Sequence, residues 1–323
     1  MNDARIVFRP LLAFLDKNRP KAPIGWQNWR ILPVTGGWNS LLYRATRGDT
    51  DLAIKFSVTD ERDRAGREYE SLRVLQDFGL DITPEAVLLD RDGLSQPVMV
   101  QTWIGGKNSA DLPHAEADGA RWVEHMATIH TVTPDSTEAE LRPAVLTSFT
   151  AAEALALVGR HLARIPAIER PGEMSNLVER CLTKSFPSWP RPSPTLCRVD
   201  SAIQNFVRLP DRWYSVDWEN AGWGDPAFET ADLLNHAAHI DMTNERRDWF
   251  VKQYCQRCSD PSMATRIWTY QKILVVWWVV RTYRYLYEMP RGLDPRLAQM
   301  PDNWEAVIQA KYEHYLAWGS ALF

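Results

Sequence analysis

Three hundred and twenty-three residues are too many for one small core and enough for two domains, each able to bury a substantial interior. Hydrophobic residues at 45% and charged residues at 24% exclude a disordered chain, a fibrous protein and a disulfide scaffold. A net charge of −4 gives no general electrostatic reason to bind nucleic acid or an anionic membrane, and the unusual feature is Trp, with fifteen residues.

The first twenty residues carry charges through their apolar stretch and show no small-residue cleavage site, so no signal peptide is expected. Ile31–Val34 leads into a turn at Thr35-Gly36-Gly37, and Ser40–Ala45 leads away, which predicts a hairpin. A third strand is expected over Leu52–Phe56. From Asp60 to Phe78 the spacing of Ala65, Tyr69, Leu72 and Leu75 predicts a helix, stopped by Gly79. Glu85–Asp90 and Gln96–Ile104 read as two strands around the Asp92-Gly93 turn. Past Gly105-Gly106 the pattern becomes mainly helical, with helices expected over Ala117–Thr131 and Thr150–Arg164, then a Pro-rich loop over Phe186–Pro194. A strand pair, Gln204–Leu209 and Trp213–Trp218, follows, and from about Phe228 the chain reads as helical and rich in Trp and Tyr. The longest strongly apolar run, Ile273–Val280, is too short to span a bilayer and predicts a buried helix. Four cysteines, Cys181, Cys197, Cys255 and Cys258, without a secretion signal suggest reduced thiols in a cytoplasm. The expected organisation is α+β: a β-rich lobe with one helix over 1–104, and a larger helical lobe with one hairpin over 105–323.

The predicted hairpin carries Asp200, Asn205 and Asp217. An antiparallel pair brings its ends together, so Asn205 at the first strand's start and Asp217 at the second's end converge, with Asp200 in the entering loop. Two carboxylates and an amide oxygen form a hard oxygen site suited to Mg²⁺, and one carboxylate can be held off the metal as a base. Any one of these residues alone would be an ordinary surface turn.

Asp200-x-x-x-x-Asn205, Asp217-Trp218-Glu219 and Gly224-Asp225-Pro226-Ala227-Phe228-Glu229 together resemble the aminoglycoside phosphotransferase/choline kinase family, from about residue 31 onward. The resemblance implies a bilobal protein-kinase-like fold and transfer of the γ-phosphate of ATP to a hydroxyl of a small molecule. That acceptor would be an aminoglycoside, choline or another amino-alcohol- or sugar-like compound. It also implies that Asp200 accepts the hydroxyl proton while Asn205 and Asp217 hold Mg²⁺ on the phosphates. Gly36-Gly37-Trp38-Asn39-Ser40 is similar to the family's phosphate-covering loop, with Gly36, Gly37, Asn39 and Ser40 as the contacts. Lys55, mid-strand among apolar neighbours, needs a partner. Glu68 fills that role in the family pattern, and Glu70 is the alternative. Thr102 and Ile104 lie in the segment matching the adenine-pairing connector.

The chain departs from the pattern at Cys197-Arg198-Val199-Asp200, where the family usually has His-Gly-Asp, and Arg198 is expected to brace the loop by pairing with Asp225 or Glu229. An inactive, nucleotide-binding interaction module is the alternative reading. A protein kinase is disfavoured, because the seven residues between Asp217 and Asp225 leave no activation loop. His236-x-x-His239 and Cys255-x-x-Cys258 have zinc-like spacing, but nothing else calls for zinc. The aromatic stretch Ile267–Glu288 is core with a possible acceptor wall. Glu219, Asp232, Asp241 and Glu288 are the acids available to a cationic acceptor, against which stand Arg281 and Arg284.

Overall fold

The computed structural model describes residues 2–34, 40–113, 116–294, 297 and 301–323, with backbone only for 2–5 and 107. Helix α1 (Asn2–Asn18) is followed by β1 (Ile24–Trp26), β2 (Trp29–Val34), β3 (Ser40–Arg47), β4 (Thr50–Ser57), α2 (Arg64–Asp77), β5 (Ala86–Asp90) and β6 (Val98–Thr102). These strands form one antiparallel sheet in the order β1-β2-β3-β4-β6-β5. Alternate side chains face opposite sides of a strand, and both sides of β6 are covered. Val98 and Val100 pack with Leu11, Leu12 and Leu15 of α1, whereas Met99 packs with Leu72 and Leu75 of α2. Burial on both faces explains why β6 reads as an unbroken apolar run. Gly79, at φ +69°, follows the end of α2, and its N–H bonds Gln76 O.

The remainder comprises β7 (Lys107–Asn108), α3 (Glu116–Ile129), α4 (Ala151–Ala163), α5 (Gly172–Thr183), β8 (Thr195–Cys197), β9 (Phe206–Arg208), β10 (Trp213–Ser215), β11 (Gly222–Gly224), α6 (Pro226–Asn235), α7 (Asn244–Cys255), α8 (Met263–Glu288) and α9 (Trp304–Leu322). Helix α8 is the hub, packed against α4, α5, α6, α7 and α9. Ile273–Val280 are buried on every face of it, which requires neighbours all round. Among the described residues no helix is long and apolar enough to cross a membrane.

Two small sheets frame the segment that carries Asp200 and Asp217. β9 and β10 pair as a hairpin with Phe206 opposite Ser215, and β8 pairs with β11 with Cys197 opposite Gly222. Residues 198–205 and 216–221 therefore run side by side between two clamped ends. Gly222 is required there, since a Cβ would stand 2.2 Å from Arg142 O. The strands predicted over Gln204–Leu209 and Trp213–Trp218 are shorter than expected. Asn205 lies in a 3₁₀ turn, Ile203–Asn205, before β9, and Asp217 lies beyond β10 in the left-handed region. Side chains that must turn into a site cannot also hold the flat alternation of a strand.

Candidate active site

Asp200 and its neighbour Val199 both adopt left-handed backbone, φ +56° and +55°, as does Asp217 at +65°. For a β-branched Val this conformation is rare, and each such residue costs on the order of 1–3 kcal/mol. The surrounding hydrogen bonds hold it. Glu229 Oε1 accepts from the backbone N–H of Arg198 (3.0 Å) and of Val199 (2.8 Å), and from the Ser201 hydroxyl (3.2 Å). Glu229 Oε2 meets His130 Nε2 at 2.8 Å, and His130 Nδ1 meets the Tyr254 hydroxyl at 2.6 Å.

Arg198 braces the loop differently from the expected pairing. Its guanidinium donates to Asp200 O (3.1 Å) and Val216 O (2.8 Å) and lies over the rings of Phe206 and Trp218. It thereby ties the Asp200 segment to the one leading to Asp217. Asp225 is held elsewhere: it caps α6 through Ala227 N (2.9 Å) and receives Arg266 (3.4 Å) and the Tyr270 hydroxyl (3.1 Å). A fork donating to carbonyls leaves no signature in residue types, so the sequence suggested the acids.

The Asp200 carboxylate accepts from His236 Nε2 at 3.0 Å. Burial alone would raise its pKa, but His236, Arg198 and Lys55 outweigh it and hold it below the ordinary value. His236 was not anticipated in this position. It ends α6, the helix that carries Glu229, and seven residues apart the two share a face. His239 Nε2 accepts from Ile203 N (2.9 Å) and its Nδ1 lies 2.7 Å from Leu233 O, so this His pair serves the loop and not a zinc quartet.

Lys55 lies beneath the sheet, buried, with its Nζ 2.8 Å from Glu68 Oε2 and 3.2 Å from Glu219 Oε2, and bonded to Asp217 Oδ1. Burial opposes its charge, while Asp217, Glu68 and Glu219 outweigh that and hold its pKa well above the ordinary Lys value. Glu70, the alternative partner, instead pairs with Arg91 at 2.6 Å on the surface. Arg64 of α2 also reaches Glu219.

The donor set suits a divalent cation. Asn205 Nδ2 donates to Asp200 O (3.2 Å), leaving the amide oxygen available, and Val216 N donates to Asn205 O (2.9 Å), aligning the two segments. Asp217 is pushed up to about 6, first by burial, against the pull of Lys55, and further by Glu219, Glu68 and Asp200. Such crowding of carboxylate oxygens is what a hard cation relieves.

Of the other expected contacts, Gly36, Gly37 and Asn39 lie outside the described residues. Ser40 opens β3 opposite Ser57. The Thr102 N–H donates to Glu85 O (3.0 Å), its hydroxyl accepts from Glu85 N (2.9 Å), and Trp103 N donates to Asp51 O (3.0 Å). Thr102 therefore has no free N–H for a base, and Ile104 is the connector residue past the last of these sheet bonds.

Beside Asp200 opens a cleft of ≈ 630 Å³ whose wall includes Val199, Asp232, His236, Trp277, Trp278 and Arg281. Burial pushes the Asp232 carboxyl up to about 7, against His236 and helped by Asp200 and Glu229.

The fold has many solved counterparts. A choline/ethanolamine kinase family protein from Mesorhizobium loti superposes with a TM-score of 0.64 at 17% identity, over 98% of this chain and 94% of that one. A spectinomycin phosphotransferase crystallised with ADP and spectinomycin gives 0.62 at 14% identity, over 97% and 98%. Choline kinase LicA from Streptococcus pneumoniae gives 0.58 at 14%, over 99% and 100%. Protein LicA of Haemophilus influenzae is 30% identical over 61 residues, which span 19% of this chain and only 22% of that protein. The model of the phosphotransferase enzyme family matches residues 30–264, from β2 through the loop and clamp just described into the start of α8. The bilobal α+β kinase-like chain belongs to the phosphotransferase enzyme family.

Proposed function

We propose that the protein is an ATP- and Mg²⁺-dependent kinase that phosphorylates a hydroxyl of a small molecule. The observation that carries this reading is the buried Lys55 ammonium shared by Glu68 and Asp217, within one site that also holds Asp200 on a braced, strained loop. On this reading residues 1–104 hold the nucleotide and 105–323 carry the catalytic loop and acceptor pocket. Lys55, positioned by Glu68, contacts the phosphates. Ser40, Ile104 and the loop with Gly36, Gly37 and Asn39 complete the nucleotide site. Asn205 and Asp217 would hold Mg²⁺, which when bound neutralises charge developing on the phosphate oxygens.

Asp200 orients the acceptor hydroxyl. The hydroxyl oxygen bonds to the γ-phosphorus, the bond from that phosphorus to the β–γ bridging oxygen breaks, ADP leaves, and the hydroxyl proton passes to Asp200. A depressed pKa suits this role, since the carboxylate is ionised at neutral pH. The resemblance frames the acceptor as an aminoglycoside, choline or another amino-alcohol- or sugar-like compound.

Calorimetric titration with Mg·ATP tests the nucleotide half. Wild type binds, and folded Asp217→Ala loses the Mg²⁺-dependent part of the affinity. Unchanged affinity in that variant would remove Asp217 from the metal site.

A further inference from the structure

The cleft beside Asp200 is walled by guanidinium groups: Arg62, Arg64, Arg67, Arg164, Arg281 and Arg284. The acids that an ammonium acceptor would need are engaged or elsewhere. Glu219 receives Arg64 and Lys55. Glu288 lies between Arg164 Nε and Arg284 Nε, each at 2.9 Å, so that one carboxylate serves two cations. Asp241 lines a different cavity, beside Trp249. Asp200 is the base in the reading above, and burial raises the pKa of Asp232 to about 7, which disfavours its charged form. Glu61 and Asp294 also stand on the wall, Glu61 at its exposed rim.

The cations crowd one another. Arg62, before α2, pairs loosely with Asp60, at 3.8 Å, and feels Glu219 at longer range. Burial lowers its pKa first, and Arg64 and Arg281 lower it further, so guanidinium groups from the α2 entry and from α8 lie within Coulombic reach. His161 is pushed down to about 3 by burial and then by Arg284, Arg281, Arg164 and Arg160, while its Nδ1 lies 2.9 Å from Arg284 Nη1. Guanidinium groups crowded in this way repel one another, and an anionic oxygen placed between them relieves that repulsion.

Resting on the kinase reading above, we propose that the acceptor is an anion, with a hydroxyl toward Asp200 and a carboxylate or phosphate against Arg62 and Arg281. Guanidinium forks suit either group bidentately. A free cation of the choline type would face repulsion from the same wall.

The test is calorimetry with Mg·ADP bound, using glycerol 3-phosphate, D-glycerate and glycerol, which share a HOCH2–CHOH unit and differ in the third carbon's group, and choline as the cationic alcohol. The two anions are expected to bind, and their ratio tells phosphate from carboxylate recognition, while glycerol and choline do not bind. Arg62→Gln and Arg281→Gln should each weaken the anions by about 10- to 100-fold, the loss expected for a charged hydrogen-bond partner. Arg281→Lys, which keeps the charge, should recover part of that loss. Absence of anion binding, anion affinity in both Gln variants unchanged from wild type, or choline binding as tightly as the anions, each with Mg·ADP binding intact, overturns the anionic acceptor alone. Failure of Mg·ADP itself to bind wild type overturns the kinase reading, and this inference with it.

Discussion

Single residues in this site are judged by what their partners leave undone. Glu68 and Glu70 are two positions apart on α2, yet one faces buried Lys55 and the other a surface arginine. Glu68→Gln should lower kcat at least tenfold and cost about 1–3 kcal/mol, since a buried charged hydrogen bond is lost while Asp217 and Glu219 still face Lys55. Glu70→Gln should change stability by less than about 1 kcal/mol, as exposed pairs do. Denaturant unfolding with steady-state rates separates the two, and equal effects would contradict the assignment. Asp232 gives a pH prediction. Its folded pKa of about 7 lies above the ordinary carboxylate value, so the native state binds the proton more tightly than the unfolded chain. Stability from this group is complete below pH ~4 and is lost as pH rises toward 7, by up to about 1.4 kcal/mol per pH unit. Asp232→Asn should therefore flatten the fall of Tm between pH 5 and 8, and an unaltered slope would show that Asp232 does not titrate there. The choice of Glu68 over Glu70 was legible in the sequence through the family pattern. The approach of His236 to Asp200 was not, because 36 positions separate residues joined only by the way α6 ends.

At the scale of elements, α6 and the two clamped segments position Asp200. Glu229, Asp232 and His236 recur along one face of α6, so a single helix grips the loop backbone at one point and the Asp200 carboxylate at another. Glu229→Gln keeps an oxygen able to accept both N–H groups and should retain a fold and measurable turnover. Glu229→Ala should cost about 3–5 kcal/mol and most activity, because it orphans buried donors and leaves the strained residues unsupported. Similar melting curves and rates for the two variants would contradict this account. Arg198 works between segments, and Arg198→His can reach one of its two carbonyls, so it should retain more activity than Arg198→Ala. Helices α2, α3 and α4 were legible from apolar spacing and Gly79. Helices α1 and α5 were not assigned, although both bury apolar faces, Leu11, Leu12 and Leu15 on the sheet, and Met174, Leu177 and Val178 against the α8 core. Pro10 within α1 and the charges scattered through it obscured the first of these.

For the whole molecule, the sheet and the helical bundle meet across charged contacts: Lys55 with Asp217 and Glu219, Arg64 with Glu219, and Arg67 donating to Pro143 O (2.8 Å) and Ala221 O (3.0 Å). A ligand that bridges these parts stabilises the native state by mass action, about 2.7 kcal/mol at a hundred times its Kd. Thermal melting should therefore shift upward with ATP and Mg²⁺ together and much less with ATP and a chelator. An equal shift in both would place the metal outside the binding reaction. The bilobal architecture and the convergence of Asp200, Asn205 and Asp217 were readable from motif order, because hairpin ends meet wherever the hairpin lies. Of the guanidinium wall of the cleft beside Asp200, Arg281 and Arg284 were weighed in the sequence. Their meeting with Arg62, Arg64, Arg67 and Arg164 was not legible, because these arginines come from three distant stretches that only the packing of α4 and α8 near the entry of α2 brings together. The central claim, that this site transfers phosphate with Asp200 as base, is tested most directly by acceptor-stimulated ADP formation in wild type and Asp200→Asn, at saturating Mg·ATP. The account predicts turnover in wild type and a loss of about 10²–10⁴-fold in the variant, with the KM for ATP little changed. Equal turnover in the two proteins, or none in wild type with any anionic, neutral or cationic hydroxyl acceptor despite Mg·ATP binding, would contradict it, the latter in favour of an inactive nucleotide-binding module.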